Sequence, residues 1–123
     1  MTQAVDTHIE QLNAGWSFEN ISPHFDEHIR KSIPLYESGQ NLICHYSDFF
    51  LKSDSRVYDI GCSTGTMLGK LAARHPHKHE LRLIGIDTVA DMVETAQARF
   101  AGDRRIEFVQ ADALDFPLEA ADM

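Results

Sequence analysis

The sequence predicts an α/β fold in which a doubly wound parallel sheet follows an N-terminal helical segment. Between residues 56 and 110, three short apolar runs alternate with two segments whose apolar residues recur at helical spacing. This strand–helix–strand–helix–strand order predicts parallel strands joined by right-handed crossovers. Ligands of such sheets bind at the carboxyl ends of the strands, so functional residues are expected there.

The composition is that of a globular domain and disfavours several classes of protein. The 123 residues suffice for one domain. A net charge of −8 disfavours direct nucleic-acid binding, which requires clustered lysine and arginine. No apolar run approaches the roughly 20 residues of a membrane span, and the polar start is not typical of a signal peptide. Cys44 and Cys62 lie in different predicted elements, which predicts a reduced, cytoplasmic protein.

The first part of the chain is predicted to contain two helices. Residues 23–30 form a short one. A longer one begins at Ser32-Ile-Pro34, because proline is well tolerated in the first helical turn. Tyr36 and Ile43 lie on one face of this helix, which ends before residues 52–55.

The elements after residue 55 follow one another through short connections. Thr88 is predicted to begin the second helix of this region, since Asp91 lies at capping-box spacing from it. Pro76 stops the first helix. The predicted strands are residues 56–60, 81–86 and 106–110, and the predicted helices are residues 65–74 and 88–100.

Three acidic residues lie where the predicted strands end. Asp59, Asp87 and Asp112 each fall at or just after the end of one strand, so all three are expected on one rim of the sheet. The first is followed by Gly61 and Gly65, which allow a sharp turn and a close approach of the backbone to a ligand. An acid in front of this loop suits a ligand that carries positive charge. S-adenosylmethionine, with its ammonium and sulfonium groups, is such a ligand.

Each residue at this rim could contact a nucleoside cofactor. Asp87 would accept the ribose hydroxyls, Asp112 would accept from the adenine amino group, and the Ala113 amide would donate to the ring. Thr88 or Met92 could pack on the adenine face. Taken singly, each acid also fits an ordinary structural role, as a helix cap or a turn residue. Three such coincidences at successive strand ends favour a site.

The main alternative to an S-adenosylmethionine site is a dinucleotide-binding site, and the spacing of the glycines disfavours it. A Gly-x-Gly-x-x-Gly pattern that begins at Gly61 would require glycine at positions 63 and 66, where the chain has Ser63 and Thr66. Cys62, inside the loop, has no histidine placed beside it by the sequence, so we interpret it as a small loop residue. No metal site is predicted.

These residues resemble a class I S-adenosylmethionine-dependent methyltransferase with a Rossmann-like domain. Asp59-Ile-Gly-Cys-Ser-Thr-Gly65 resembles the first motif of that family, Gly85-Ile-Asp87 the second, and Gln110-Ala-Asp-Ala113 the third. The resemblance covers residues 56 to about 116. Ser63 departs from it, because many members carry glycine there. The resemblance implies methyl transfer from S-adenosylmethionine, with S-adenosylhomocysteine as the cofactor product.

A narrower resemblance extends upstream. Trp16-Ser-Phe18 and Ser32-Ile-Pro-Leu-Tyr36, together with the loop motif, resemble the carboxy-S-adenosylmethionine synthases of tRNA wobble-uridine modification. This resemblance implies that residues 1–54 form a helical lid segment, from which Tyr36 reaches over the cofactor. Residues 55–123 would be the N-terminal half of the cofactor-binding domain.

The chain is expected to be a truncated domain, since the full fold has more strands. The first strand would then present an apolar edge, and a homo-oligomer through that edge is predicted. The acceptor is expected to be a small molecule, and the catalytic residues remain unknown. Two other readings stay open: carboxy-S-adenosylmethionine synthesis, and a non-catalytic cofactor-binding fragment.

Overall fold

A computed structural model describes residues 25–123, in which three parallel strands form one sheet with the order β1-β2-β3. The central strand β2 is buried along most of its length, as expected for a strand flanked on both sides. The predicted α/β fold is confirmed. The predictions for Trp16 and Phe18 lie outside the described residues. The strands are β1 Arg56–Ile60, β2 Arg82–Asp87 and β3 Ile106–Gln110.

The helices follow the predicted order along the chain, but the second and the fourth begin two or more residues later than predicted. A turn with Leu35 in the left-handed conformation (φ 62°) precedes α2, which begins at Tyr36. Val89 is extended and no side chain caps α4, so the predicted capping box at Thr88 is wrong. The helices are α1 Phe25–Ser32, α2 Tyr36–Phe50, α3 Thr66–Arg74 and α4 Ala90–Arg99.

One apolar cluster joins the sheet to the helices. Leu71 of α3 and Leu83 of β2 are essentially fully buried in it, and Ala96 contributes from α4. Cys44 brings α2 into the same cluster. Burial of this kind contributes about 25 cal/mol for each Å² of apolar surface, so the cluster stabilises the packing of α2, α3 and α4 against the sheet.

The outer edge of β1 is partly covered, and the prediction of a bare edge is wrong at two positions. The Asp122 amide donates to the Arg56 carbonyl (3.0 Å), and the Tyr58 amide donates to the Met123 carbonyl (3.1 Å). After β3 the chain returns to the far side of the sheet, where its last residues satisfy backbone groups of β1. Ile60, at the end of the strand, remains 54% exposed.

Candidate functional site

The loop after β1 is built on three residues with positive φ. They are Gly61 (76°), Ser63 (53°) and Gly65 (84°). A Cβ at Gly65 would lie 2.5 Å from the Phe108 ring, so the third position requires glycine for two reasons. Ser63 carries a side chain in a conformation that favours glycine, which explains physically why glycine is frequent at this position of the family motif.

The loop is fastened to β2 by backbone hydrogen bonds and by close packing. The amides of Gly61 and Cys62 both donate to the Ile86 carbonyl, at 2.7 and 3.1 Å. A Cβ on Gly85 would lie 2.8 Å from the Cys62 sulfur, so glycine on β2 lets the loop approach. Burial, with Asp59 nearby, raises the pKa of the Cys62 thiol to about 12. A protonated, buried thiol supports the interpretation of a small loop residue.

Asp87 connects the loop to the start of α4. One carboxylate oxygen accepts from the Ser63 amide (2.8 Å), and the other accepts from the Val89 amide (2.9 Å). Asp87 therefore has, in part, the structural role that the sequence also allowed for it, because its carboxylate organises the turn between β2 and α4. Each of its oxygens keeps a second lone pair, and the side chain is partly exposed.

Asp59 lies at the carboxyl end of β1 beside a cavity of about 160 Å³. Burial, followed by repulsion from Asp87, raises the pKa of its carboxyl group from 3.8 to about 6. Tyr36 lines the same cavity, and the pKa of its hydroxyl is raised by burial and by the nearby carboxylates of Asp26 and Asp59. The cavity is lined by Asp26, Tyr36, Gln40, Ile43, Asp59, Gly61, Cys62, Ser63, Thr64, Thr66 and Met67.

The residues after β3 complete the rim. The Ala111 amide donates to the Asp87 carbonyl (3.0 Å), which holds this segment beside the second strand end. Asp112 is exposed, and its carboxylate accepts from the Leu114 amide (2.9 Å) within a turn. Ala113 follows it and is partly exposed.

The two residues predicted to pack on adenine differ in exposure. Thr88 is exposed beside Asp87. Met92 is only 1% exposed, so protein atoms already cover its side chain. Its place in the apolar stripe of α4 puts it in the protein interior, and the structure offers no surface of Met92 to a ligand. Thr88 keeps the predicted position at the rim.

Several cavity residues were missed by sequence reasoning. Asp26, Gln40, Thr64 and Thr66 all line the cavity. Gln40 accepts from the Lys70 ammonium (2.7 Å), which links α2 to α3. Nothing in the sequence around these four residues distinguishes them from ordinary surface residues, and only the tertiary structure brings them together at one cavity.

A buried Ser–His pair outside the cavity is structural. The Lys78 ammonium can only donate, and it lies 3.0 Å from Nδ1 of His75. The proton of the imidazole therefore belongs on Nε2, which donates to the Ser47 hydroxyl (2.7 Å), and that hydroxyl donates to the Cys44 carbonyl (2.6 Å). A nucleophile would require the opposite polarity. Burial and the nearby Lys78 lower the pKa of His75, which suits a neutral ring.

The described part of the chain contains neither a cluster of metal-binding side chains nor a membrane-spanning helix. In residues 25–123, no three side chains of histidine, cysteine, aspartate or glutamate gather in a way that could hold a metal ion. None of the helices there has the length and apolar character required to cross a membrane.

Solved structures with the same architecture identify the class of fold. A methyltransferase from Thiobacillus denitrificans, in complex with S-adenosyl-L-homocysteine, gives a TM-score of 0.54 at 23% identity over 76% of this chain and 37% of its own. The plantazolicin methyltransferase BpumL, also in complex with S-adenosyl-L-homocysteine, gives 0.58 at 20% identity over 94% of this chain and 46% of its own. At these identities the likeness establishes the fold, a Rossmann-like α/β domain.

Sequence relatives then define the family. Residues 57–123, more than half of the chain, match the family described as "Methyltransferase domain", and the chain belongs to that family. A carboxy-S-adenosyl-L-methionine synthase of Wolinella succinogenes is 35% identical over 117 residues, 93% of this chain and 48% of that protein. Its namesake in Methylococcus capsulatus is 33% identical over 98 residues, 76% of this chain and 40% of that protein. The chain thus spans less than half the length of these relatives.

The residues present fit S-adenosylmethionine, the cofactor that the family implies. The space beside Gly61 is open, since a Cβ there would meet no atom within 4 Å. The cavity next to it has carboxylates in its wall, which suits a ligand with an ammonium and a sulfonium group. Both features match what the loop motif predicts.

Proposed function

We propose that this chain binds S-adenosylmethionine at the rim of the sheet. The observation that carries this proposal is the small acidic cavity beside the glycine-rich loop, with Asp59 in its wall. In this arrangement the Asp59 carboxylate attracts the cationic methionyl part. Because the pKa of the Asp59 carboxyl group is about 6, a cationic ligand that binds below this pH would do so together with loss of the Asp59 proton.

The remaining contacts follow the strand ends. Asp87 would accept the ribose hydroxyls through its free lone pairs, and Asp112 and the Ala113 amide would meet the adenine edge. Thr88 is the exposed residue beside them. Met92 is left out because it is buried. The loop residues Gly61, Cys62, Ser63 and Gly65 would contact the cofactor through their backbone, and Tyr36 would cover it from the lid segment.

The proposed reaction is methyl transfer to a small-molecule acceptor that is not yet identified. The cofactor supplies an electrophilic methyl group on its sulfonium. The chain's own residues would bind and orient the cofactor, so that catalysis rests on proximity to the acceptor. Within residues 25–123 we assign no catalytic base.

Calorimetric titration with S-adenosylhomocysteine, beside NAD, tests the site directly. We expect micromolar binding of S-adenosylhomocysteine alone. Asp87→Ala should weaken it by about 1–3 kcal/mol, because the ribose loses a charged partner. Asp54→Asn is the matched control, since it removes an exposed charge before β1, at the opposite end of the strand. Unchanged affinity in Asp87→Ala, or equal binding of NAD, would contradict the assignment.

Carboxy-S-adenosylmethionine synthesis is the second candidate, and the similarity to synthases of that name favours it. By the family resemblance, such an enzyme acts on S-adenosylmethionine and prephenate and serves tRNA wobble-uridine modification. Mass spectrometry of the cofactor after incubation with prephenate distinguishes the candidates, because carboxylation adds mass to the sulfonium compound. Cofactor binding without turnover in either assay would favour a non-catalytic cofactor-binding fragment.

The organisation proposed for the chain has a lid segment at residues 1–54 and a cofactor-binding part at residues 55–123. We place it in the cytoplasm because Cys44 and Cys62 are both free thiols, and we propose no direct nucleic-acid binding in view of its charge of −8. A homo-oligomer through the edge of the sheet is proposed because Ile60 is exposed at the end of β1, and Tyr46 and Phe50 of α2 are exposed as well. Light scattering after gel filtration would contradict this if the folded protein remained monomeric at high concentration.

A further inference from the structure

One carboxylate on the lid joins three separate elements. Asp26, in the first turn of α1, accepts hydrogen bonds from the hydroxyls of Thr64 (2.8 Å) and Thr66 (3.0 Å) through Oδ1. Its other oxygen lies 2.8 Å from the Arg99 guanidinium. The same guanidinium donates to the Thr66 hydroxyl (2.8 Å), so the carboxylate, the hydroxyl and the cation form a closed triangle.

Two of these partners, Thr64 and Thr66, line the cavity. Thr64 lies inside the glycine-rich loop and is 3% exposed, so its hydroxyl needs an internal acceptor. Thr66 is the first residue of α3, and Arg99 is the last residue of α4. Through Asp26, α1 is therefore tied at one point to the loop and to both crossover helices.

Helix α1 depends on such contacts for its position. It has eight residues, and isolated helices shorter than about 12–15 residues are marginal in water. A single exposed ion pair contributes little. A carboxylate that serves two hydroxyls and a guanidinium contributes more, because charge-assisted hydrogen bonds are stronger than neutral ones.

Asp26 also lies in the wall of the cavity, together with Tyr36, Asp59 and Cys62. Loss of its contacts would release α1 from the loop and open the cavity on the side that faces the lid. Cys62, which is 5% exposed, lines the same cavity and would then become more accessible from the side of α1.

We infer that Asp26 is a positioning residue, a latch that holds α1 against the glycine-rich loop and so keeps α1 in place at the wall of the cavity. Its expected effect on cofactor retention rests on the proposed function. The latch itself does not rest on the proposed function, because the contact of Asp26 with the loop is a property of the chain alone.

The latch is tested by the alkylation rate of Cys62 with iodoacetamide, in the full 123-residue chain carrying Cys44→Ser. Asp26→Ala should raise this rate about fivefold or more, as expected for the loss of a charged hydrogen-bond partner. Asp26→Asn keeps an oxygen for the threonines and should raise it less. Glu27→Gln is the matched control, because the neighbouring carboxylate pairs with Lys31 within α1 (2.9 Å).

A coupling measurement separates the latch from general loosening. In an Arg99→Gln background, Asp26→Asn should raise the alkylation rate less than it does alone, since the two groups share one interaction. Urea unfolding of each variant provides the global stability. The latch is overturned if Asp26→Ala and Glu27→Gln react alike. It is also overturned if the reaction rates merely follow the global stability.

Stopped-flow dissociation of S-adenosylhomocysteine tests the consequence for the cofactor. Asp26→Ala should release it about fivefold faster or more, whereas Glu27→Gln should match the parent chain. Unchanged or slower release would overturn the role in retention. If Cys62 responds as expected but the parent chain binds no S-adenosylhomocysteine, the latch stands and the proposed function fails.

Discussion

Replacing Asp59 with asparagine is expected to stabilise the fold near neutral pH while weakening cofactor binding. In the folded chain, burial and the neighbouring Asp87 carboxylate raise the pKa of Asp59 from 3.8 to about 6. The charged form is therefore disfavoured by folding. Asparagine has nearly the same shape and no charge, so the substitution removes this cost and leaves the packing in place.

The sign and size of the effect follow from proton linkage. Between pH 3.8 and about 6 the folded state binds a proton that the unfolded state has lost, so Asp59 makes stability fall as the pH rises through that interval. At about pH 7.5 the full cost is about 3 kcal/mol, an upper value because the side chain is partly exposed. At about pH 4.5 it is about 1 kcal/mol, so the advantage of asparagine should shrink by about 2 kcal/mol.

Urea unfolding at both pH values measures the effect, with Asp54→Asn as the exposed control. Titration with S-adenosylhomocysteine should give the opposite result, weaker binding by Asp59→Asn, because the ammonium loses its partner. Affinity of the parent chain should also increase as the pH rises through about 6. The reasoning is refuted if Asp59→Asn is less stable at about pH 7.5, or if its advantage is the same at both pH values.

Three further substitutions, each measured by urea unfolding, test the glycine-rich loop and the buried Ser47–His75 hydrogen bond. Ser63→Gly should stabilise the protein by about 1 kcal/mol, since the left-handed conformation suits glycine, and should retain binding of S-adenosylhomocysteine. Gly65→Ala should destabilise it by about 2–4 kcal/mol, because the new Cβ would meet the Phe108 ring while φ stays positive. Ser47→Ala should cost about 1–3 kcal/mol, because it leaves Nε2 of buried His75 without its partner.

Two of these substitutions, Gly65→Ala and Ser47→Ala, have a matched control within the chain. Gly39→Ala, in the first turn of α2 with no atom near the new Cβ, should stabilise by up to about 1 kcal/mol through helix propensity. Equal stability of the Gly65→Ala and Gly39→Ala proteins would contradict the steric argument. Ser38→Ala changes an exposed serine of the same helix. A loss of stability there as large as in Ser47→Ala would show that burial is not the cause.

The strands could be predicted closely from the sequence. Residues 56–60 and 106–110 have the predicted bounds, and the central strand is shifted by one residue to Arg82–Asp87. Apolar runs bounded by polar residues carry this information locally. The helix starts were less accurate, because α2 and α4 begin after backbone conformations at Leu35 and Val89 that have no side-chain cap to reveal them.

The site was predictable where it follows from strand order and uncertain where it depends on packing. Asp59 and Asp87 lie at neighbouring strand ends because parallel strands end at one edge of a sheet. Met92 was predicted to face adenine, but the same helical spacing also predicts a core residue, and the structure buries it.

The sequence alone determined the order of strands and helices along the chain and the glycine-rich loop, since these depend on residues close together in the chain. It also determined the acidic rim, because parallel strands end at one edge of a sheet. Only the tertiary structure decided that Asp26 meets Arg99, 73 positions away. The raised pKa of Asp59 and the covered edge of β1 were likewise decided only by the tertiary structure. Burial, charge proximity and backbone pairing across the fold depend on distances in space, which no spacing along the chain encodes.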